Sequence, residues 1–358
     1  MFKQYYFAAH NKNGCTDIQV TAHCIKQKNV LQLFRNNQIF TALLVLIYFL
    51  FFGANIWFYA NDLTIFQNIP STLSGALSGW LEHPFFNKIG FSLIVLIQAL
   101  ILNFILNEFK LTKKFSFVPA VCFILFHFTY QDIDSLSPLV IANTFLIWSL
   151  YSLFKSYEKR VSLGTVFNIG FGIALACLFY HSYFVFFIWA LLSLLIIRSF
   201  DLQEFILLIL GYITPFFFMG TYHFVNDNLS NWWSNEIAIH YQTLAVFYPM
   251  NMQFYLLIAL LIVPFILAAS NIQGIYFKTT AREKKYIHVL FLMPVIGLLS
   301  ILFQNNLYSV HYVLFAIPMS CLFSIALLSY KSLIAAEIIH LVVFMLILGI
   351  QYQAFFFQ

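Results

Sequence analysis

The sequence predicts an all-α, polytopic integral membrane helical bundle of about eleven transmembrane helices, and three observations carry that reading. First, 62 % of the 358 residues are hydrophobic, only 9 % are charged, and mean hydropathy is +0.85. A soluble domain carries about 25 % charge. This chain cannot cover a water-facing surface, which excludes a soluble enzyme, a nucleic-acid binder and a disordered protein. Second, the apolar residues fall in long runs such as Ile39 to Phe52, without the alternation a membrane β-barrel needs. Third, the few lysines and arginines recur at places that a row of alternating spans would put on one side.

A bilayer core of about 30 Å takes about 20 apolar residues as helix. Helix is the required form because lipid offers backbone N–H and C=O groups no other partner. Eleven segments qualify: 38–59, 88–107, 116–130, 137–154, 165–180, 183–199, 204–224, 252–270, 286–303, 308–329 and 332–354. The first 29 residues are polar and patternless, without a signal peptide's apolar core or cleavage site. They are expected to be a disordered cytoplasmic tail, or an over-extended start, ahead of a single transmembrane domain at 30–358.

Basic residues in short loops stay cytoplasmic. Lys3, Lys12, Lys26, Lys28 and Arg35 precede the first segment. Lys110, Lys113 and Lys114 follow the second, and Lys155, Lys159 and Arg160 the fourth. Arg198 ends the sixth; Lys278, Arg282, Lys284 and Lys285 follow the eighth; Lys331 follows the tenth. With alternating helices all of these share a face, and of the 18 basic residues only Lys88 sits at an opposite boundary. The expected location is a bacterial inner membrane, N-terminus cytoplasmic and C-terminus periplasmic. The 165–200 pair is short and has an uncharged tip, His181-Ser182. It reads either as two spans or as a re-entrant hairpin, which would leave nine. The 116–154 pair has Asp132 and Asp134 at its tip, and burying two carboxylates in lipid is costly, so that pair crosses.

Five cysteines, Cys15, Cys24, Cys122, Cys177 and Cys321, lie outside the outer loops, so no disulfide framework is expected. Gly170/Ala174 and Gly172/Ala176 are small-xxx-small pairs that favour close helix packing. Pro119, Pro215, Pro264, Pro294 and Pro318 are expected to kink their helices. P-loop, Gly-x-Ser-x-Gly and His-Glu-x-x-His motifs are absent.

On this topology the outer face collects the acids Asp62, Glu82, Asp132, Asp134, Asp227 and Glu236. His83, His127, His181, His223, His240 and His311 lie in its loops or at the outer helix ends. Topology forces the shortage of cations there but does not sort neutral histidine. Carboxylates with imidazoles at a membrane rim can bind a divalent cation or supply general acid–base groups; solvated loop acids are the plainer alternative. In the first outer loop Leu73, Leu77, Trp80 and Leu81 share a helical face, as in a helix lying in the interface plane, and Glu82-His83-Pro84 closes it. Asp132-Ile133-Asp134 either shares one cation between two carboxylates or caps the following helix, which starts near Ser135 or Ser137 with Pro138. Trp232 and Trp233 suit interface anchoring, and beside Asn and Asp they also suit stacking on a sugar or a lipid-linked headgroup. Glu337 and His340, three apart in the last span, share one helix face. Glu337 lies about 9 Å beyond Lys331 at 1.5 Å per residue. It can make a salt bridge or hydrogen bond near the headgroups, or with His340 serve an ion or proton relay. No second buried carboxylate is apparent.

Two resemblances arise from these residues. The stretch Leu-Ser-Pro-Leu-Val-Ile-Ala-Asn-Thr-Phe-Leu at 136–146, a basic turn, and Asn168-Ile-Gly-Phe-Gly172 resemble the uncharacterised multi-pass inner-membrane proteins of Bacteroidota, over most of the chain after residue 30. The plan is also similar to that of the GT-C glycosyltransferases, which use polyprenyl-phosphate sugars. Asp62 follows the first span where that family places its acid, and Glu82-His83-Pro84 lies where some members have a proline-containing loop motif. This second resemblance implies Asp62 as general base or metal ligand. It implies Asp132 and Asp134 around a divalent cation, and substrate contacts from Glu82, His83, Trp232, Trp233 and Glu236. The chain departs from that family in having no outer arginine to hold a lipid phosphate. The alternatives are a non-catalytic subunit assembled with other cell-envelope membrane proteins, and a transporter built on Glu337 and His340.

Overall fold

The computed structural model describes residues 30–34, 39–54, 84–112, 114–129, 136–157, 163–198, 201–234, 252–277, 279–303 and 309–351. Regular structure among them is entirely helical. The helices α1 (Val30–Phe34) and α2 (Ile39–Phe52) precede α3 (Pro84–Glu108), α4 (Val118–His127) and α5 (Pro138–Lys155). A 3₁₀ turn, His181–Phe184, joins α6 (Leu163–Phe179) to α7 (Val185–Ile197). Next come α8 (Leu202–Val225), the single turn α9 (Leu229–Trp232), α10 (Met252–Tyr276) and α11 (Ala281–Leu299). The 3₁₀ segments Ser300–Phe303 and Ser309–Phe315 precede α12 (Ala316–Ser329), and α13 (Leu333–Gln351) closes the described chain.

Each of the eleven expected segments falls on one of these helices. Six stretches are long and apolar enough to cross a membrane: Phe85–Glu108, Pro138–Lys155, Leu202–Val225, Ile258–Tyr276, His311–Ser329 and Leu333–Ile350. Phe40–Phe52, Val118–His127, Leu163–Phe179 and His181–Ile197 are apolar but shorter. α11 opens with Arg282-Glu283-Lys284-Lys285 and belongs to neither group. These helices fit a multi-pass membrane protein.

The helix boundaries follow local chemistry. Ser137 caps α5 by accepting from the Val140 N–H, with Pro138 behind it. Asp201 caps α8 through the Gln203 N–H. Thr280 and Glu283 form a reciprocal capping box on α11. α3 ends with Lys110 at φ 59°, a left-handed position usually taken by glycine. The Lys110 N–H bonds the Asn107 carbonyl at 3.1 Å and the Leu111 N–H bonds that of Leu106 at 2.9 Å. The Asn107 side chain then braces the connection to α4, accepting from the Ser116 N–H and donating to the Ser116 carbonyl, both at 3.0 Å. Two of the five prolines expected to kink a helix instead open one. Pro119 lies in the first turn of α4, and Pro318 in the first turn of α12, just after a 3₁₀ segment. At Pro119 the missing N–H would have had no helical partner, whereas at Pro318 the 3₁₀ segment runs directly into the helix. Pro215, Pro264 and Pro294 are helix-internal.

The centre of the bundle is α4 against α12. All ten residues of α4 are buried, as are those of α12 from Ala316 to Leu327. A helix apolar on every side is stable only when enclosed. The periphery is different. On α8 only Glu204, Leu208, Gly211 and Pro215 are buried, four positions on one face. At Gly170 and Gly211 that face meets α6 backbone to backbone. A Cβ on Gly170 would overlap the Leu208 carbonyl and the Tyr212 N–H, and one on Gly211 would overlap the Phe167 carbonyl. On the other side of α6, Gly172 lets Ser149 and Phe145 of α5 approach. The small-residue pairs therefore pack two neighbours, one on each side of α6.

Helices run between two chemically distinct ends. At the basic end, the Arg282 Nε–H donates to the Tyr286 hydroxyl (2.8 Å), which donates to the Phe154 carbonyl at the end of α5 (2.7 Å). The Tyr286 ring stacks on Phe154 at 4.4 Å and meets Phe109, just past α3, edge-on at 5.4 Å. Lys285 donates to the Ile197 carbonyl at the end of α7 at 2.8 Å. Cations of the first turn of α11 thus serve the negative C-terminal ends of its neighbours. The α6–α7 hairpin reaches from this end to the opposite one, where its tip meets Ser300 and His311 at the far ends of α11 and α12.

Gly170→Ala should lower stability by about 1–3 kcal/mol through forced separation of two backbones. Gly274→Ala, with open space around the new methyl, should be neutral or stabilising by less than about 1 kcal/mol. Thermal unfolding in one detergent compares the two.

Candidate functional site

The end opposite the cations holds a cluster of buried hydroxyls on irregular backbone. α6 stops at Phe179, Tyr180 is extended at φ −145°, and the 3₁₀ turn His181–Phe184 follows. α11 tightens into Ser300–Phe303, and α12 is preceded by Ser309–Phe315. Side chains tie these segments together. The Tyr180 hydroxyl lies 2.9 Å from Nδ1 of His311, and Ser300 Oγ lies 2.8 Å from its Nε2. Ser300 spends its single hydroxyl hydrogen on the Gly297 carbonyl at 2.5 Å. Its oxygen must therefore accept from Nε2–H, and Nδ1 must accept from Tyr180. One directed chain results, from Tyr180 O–H through a neutral His311 to Ser300 and Gly297. Beside it, Tyr183 donates to Asn143 Oδ1, and Asn143 reaches the Val313 carbonyl at 3.4 Å. No spacing in the sequence marks this cluster, because its members come from α5, the hairpin tip, and the turns on either side of 304–308.

The histidines expected at an exposed rim are not all there. His311 and His127 are both fully buried. His127, at the end of α4, is enclosed by the rings of Phe91, Phe123 and Phe128 at 5.6, 5.6 and 5.9 Å, and among the described residues neither ring nitrogen has a hydrogen-bond partner. The topological argument located the helix end but not the packing that closes over it. Among the described residues no group of three or more His, Cys, Asp or Glu side chains could hold a metal ion. Asp62, Glu82, His83, Asp132, Asp134, Glu236 and His240 lie outside the described residues, as do Leu73, Leu77, Trp80 and Leu81.

Trp232 and Trp233 are described, and they behave differently. Trp232 is buried and stacks on His223 of α8, ring centres 5.2 Å apart and planes within 12°. Among the described residues neither the Trp232 indole N–H nor His223 Nε2 has a hydrogen-bond partner. Trp233 is exposed. Both tryptophans, with Phe224, Asp227, Ser230 and Ser234, line an open hollow of about 860 Å³. Asp227 holds φ 52° in the turn from α8 to α9, which side chains other than Gly, Asn and Asp rarely adopt. α8 leads to this hollow with Phe217, Phe218, Tyr222 and Phe224 exposed.

Glu337 and His340 share one buried face, as expected. The carboxylate accepts the Leu31 N–H at the start of α1 (2.9 Å). His340 Nε2 lies 3.5 Å from the Tyr48 hydroxyl of α2, and its Nδ1 has no hydrogen-bond partner among the described residues. A second buried carboxylate, not apparent in the sequence, is Glu204 in the first turn of α8, paired with Arg198 at 2.9 Å.

Tyr180→Phe should destabilise by about 1–3 kcal/mol, the range for stranding a buried acceptor. The ¹⁵N spectrum of labelled His311 should show a protonated Nε2 and a bare Nδ1. Glu337→Ala should cost a similar amount by leaving the Leu31 N–H unpaired, whereas Glu337→Gln keeps an acceptor and should cost less; unfolding in detergent measures both. No protein-family model matches the chain, and neither a curated protein nor a solved structure matches it, so the functional reading rests on this geometry.

Proposed function

We propose that the chain is a membrane transferase of the GT-C kind that takes a lipid-linked sugar at the end opposite the cations. The observation that carries it is the hollow at Trp232 and Trp233. Its volume falls in the small-molecule range of roughly 300–1,000 Å³. It offers aromatic faces, the Asp227 carboxylate and the Ser230 and Ser234 hydroxyls, a set that suits a polar, hydroxylated headgroup. It adjoins the exposed aromatic flank of α8, which suits an apolar tail. In this reading Asp62 is the general base or metal ligand and Asp132 and Asp134 hold a divalent cation. Glu82, His83, Trp232, Trp233 and Glu236 contact substrate, and the hollow faces the periplasm. A second reading is a non-catalytic subunit of a cell-envelope complex. It is favoured by α8, which meets the bundle along a single glycine-containing face and leaves its other faces open to a partner.

The test is transfer from a radiolabelled polyprenyl-phosphate sugar in membranes carrying equal amounts of each variant. Asp62→Asn should reduce transfer at least 100-fold, as loss of a general base does, and Trp233→Ala should weaken substrate use with less effect on turnover. Transfer that survives Asp62→Asn removes the enzyme reading. A stoichiometric partner copurifying from native membranes supports the second.

A further inference from the structure

The basic end holds four cations whose charge the described protein leaves standing. Lys155 closes α5, and Arg282, Lys284 and Lys285 fill the first turn of α11. Cations in a first turn face the positive end of the helix dipole. Three described carboxylates of the flanking turns are engaged elsewhere: Glu283 in the capping box, Glu204 with Arg198, and Asp201 on the Gln203 N–H. Among the described residues no carboxylate lies within 4.0 Å of the Arg282, Lys284 or Lys285 head groups. The cations rest on aromatic faces instead. Arg282 lies 5.6, 5.5 and 5.5 Å from the ring centres of Phe109, Tyr157 and Tyr286. Lys284 lies over Tyr276, Lys285 over Tyr157 and Lys155 over Tyr151, all within 6 Å. A ring face orients a cation without cancelling its charge. Among the described residues the Arg282 guanidinium hydrogen-bonds only through Nε, which leaves both Nη amino groups as a planar fork of the kind that fits phosphate.

We propose that this end of the bundle binds the phosphodiester headgroup of an anionic phospholipid, with the Arg282 fork on the phosphate and Lys284 and Lys285 beside it. The rings place the cations as a set, at the height where apolar helices end. Phe277, next to the Tyr276 that underlies Lys284, is 90 % exposed and projects an apolar surface beside the charges, where an acyl chain would lie. A soluble phosphate would use the same cations but gain nothing from that ring.

The full chain, reconstituted in phosphatidylcholine vesicles with and without phosphatidylglycerol, tests the proposal through its unfolding midpoint and the lipid retained in native mass spectra. Phosphatidylglycerol should raise the midpoint and be retained selectively. Arg282→Gln and Lys284→Gln should each weaken retention about fivefold, the effect of one cation near a headgroup surface. Lys331→Gln, at an exposed lysine of the same end that rests on no ring among the described residues, should leave retention unchanged. Equal losses at all three positions would mean general attraction to a charged surface and overturn the site. Should Arg282→Gln fail to fold in phosphatidylcholine, Arg282→Lys decides, since it keeps the charge and loses the fork; undiminished retention in it overturns the assignment. A midpoint raised as much by inorganic phosphate in plain phosphatidylcholine vesicles would assign the cations to a free anion and overturn the lipid.

Discussion

A polar atom in hydrocarbon must find its partner within the chain, and the structure depends on that constraint throughout. It makes every described element a helix, and it decides where helices touch. Gln98 of α3 donates to the Val140 carbonyl and the Thr144 hydroxyl of α5, both at 2.7 Å. Trp189 of α7 donates to the Val289 carbonyl of α11 at 3.1 Å. These contacts fix depth and register in a core whose apolar packing alone would permit sliding. Against that background, buried groups without a hydrogen-bond partner among the described residues stand out, among them the ring of His127, Nδ1 of His340, Nε2 of His223 and the indole N–H of Trp232.

The two ends solve the same problem differently. At one, helices terminate regularly, and arginine, lysine and tyrosine serve their last carbonyls. At the other, helices tighten into 3₁₀ turns whose backbone irregularity is held by hydroxyls and a single imidazole. The first solution places charge near water and headgroups; the second keeps a neutral polar layer inside. An end-to-end asymmetry of this kind gives a bundle one face suited to anchoring and one suited to chemistry.

Much of this was legible in the sequence. Run length located the helices, the cations located one end, and the glycines at 170 and 172 located the closest packing. Three-residue spacing put Glu337 and His340 on one face. What escaped were partners distant in the chain. The carboxylate of Glu337 serves an N–H 306 positions away, and nothing local to either residue encodes the other. Tyr180, Ser300 and His311 come from separate segments, each an ordinary residue at the end of an apolar run. Proline had two meanings, kink or start, and only the preceding turn distinguishes Pro318 from Pro215. Burial of His127 depends on three phenylalanines from two helices and the turn after one of them.

α6 acts as a shim. Its thinness, set by bare glycine backbone toward α8 and toward α5, fixes how far apart those two helices stand. Thickening it by one methyl on either flank would move a neighbour that reaches the full height of the bundle, so a change near mid-depth would be felt where α8 turns toward Asp227 and Trp232. Sequence drift in this chain should therefore be slowest in residues that make no hydrogen bond and carry no charge.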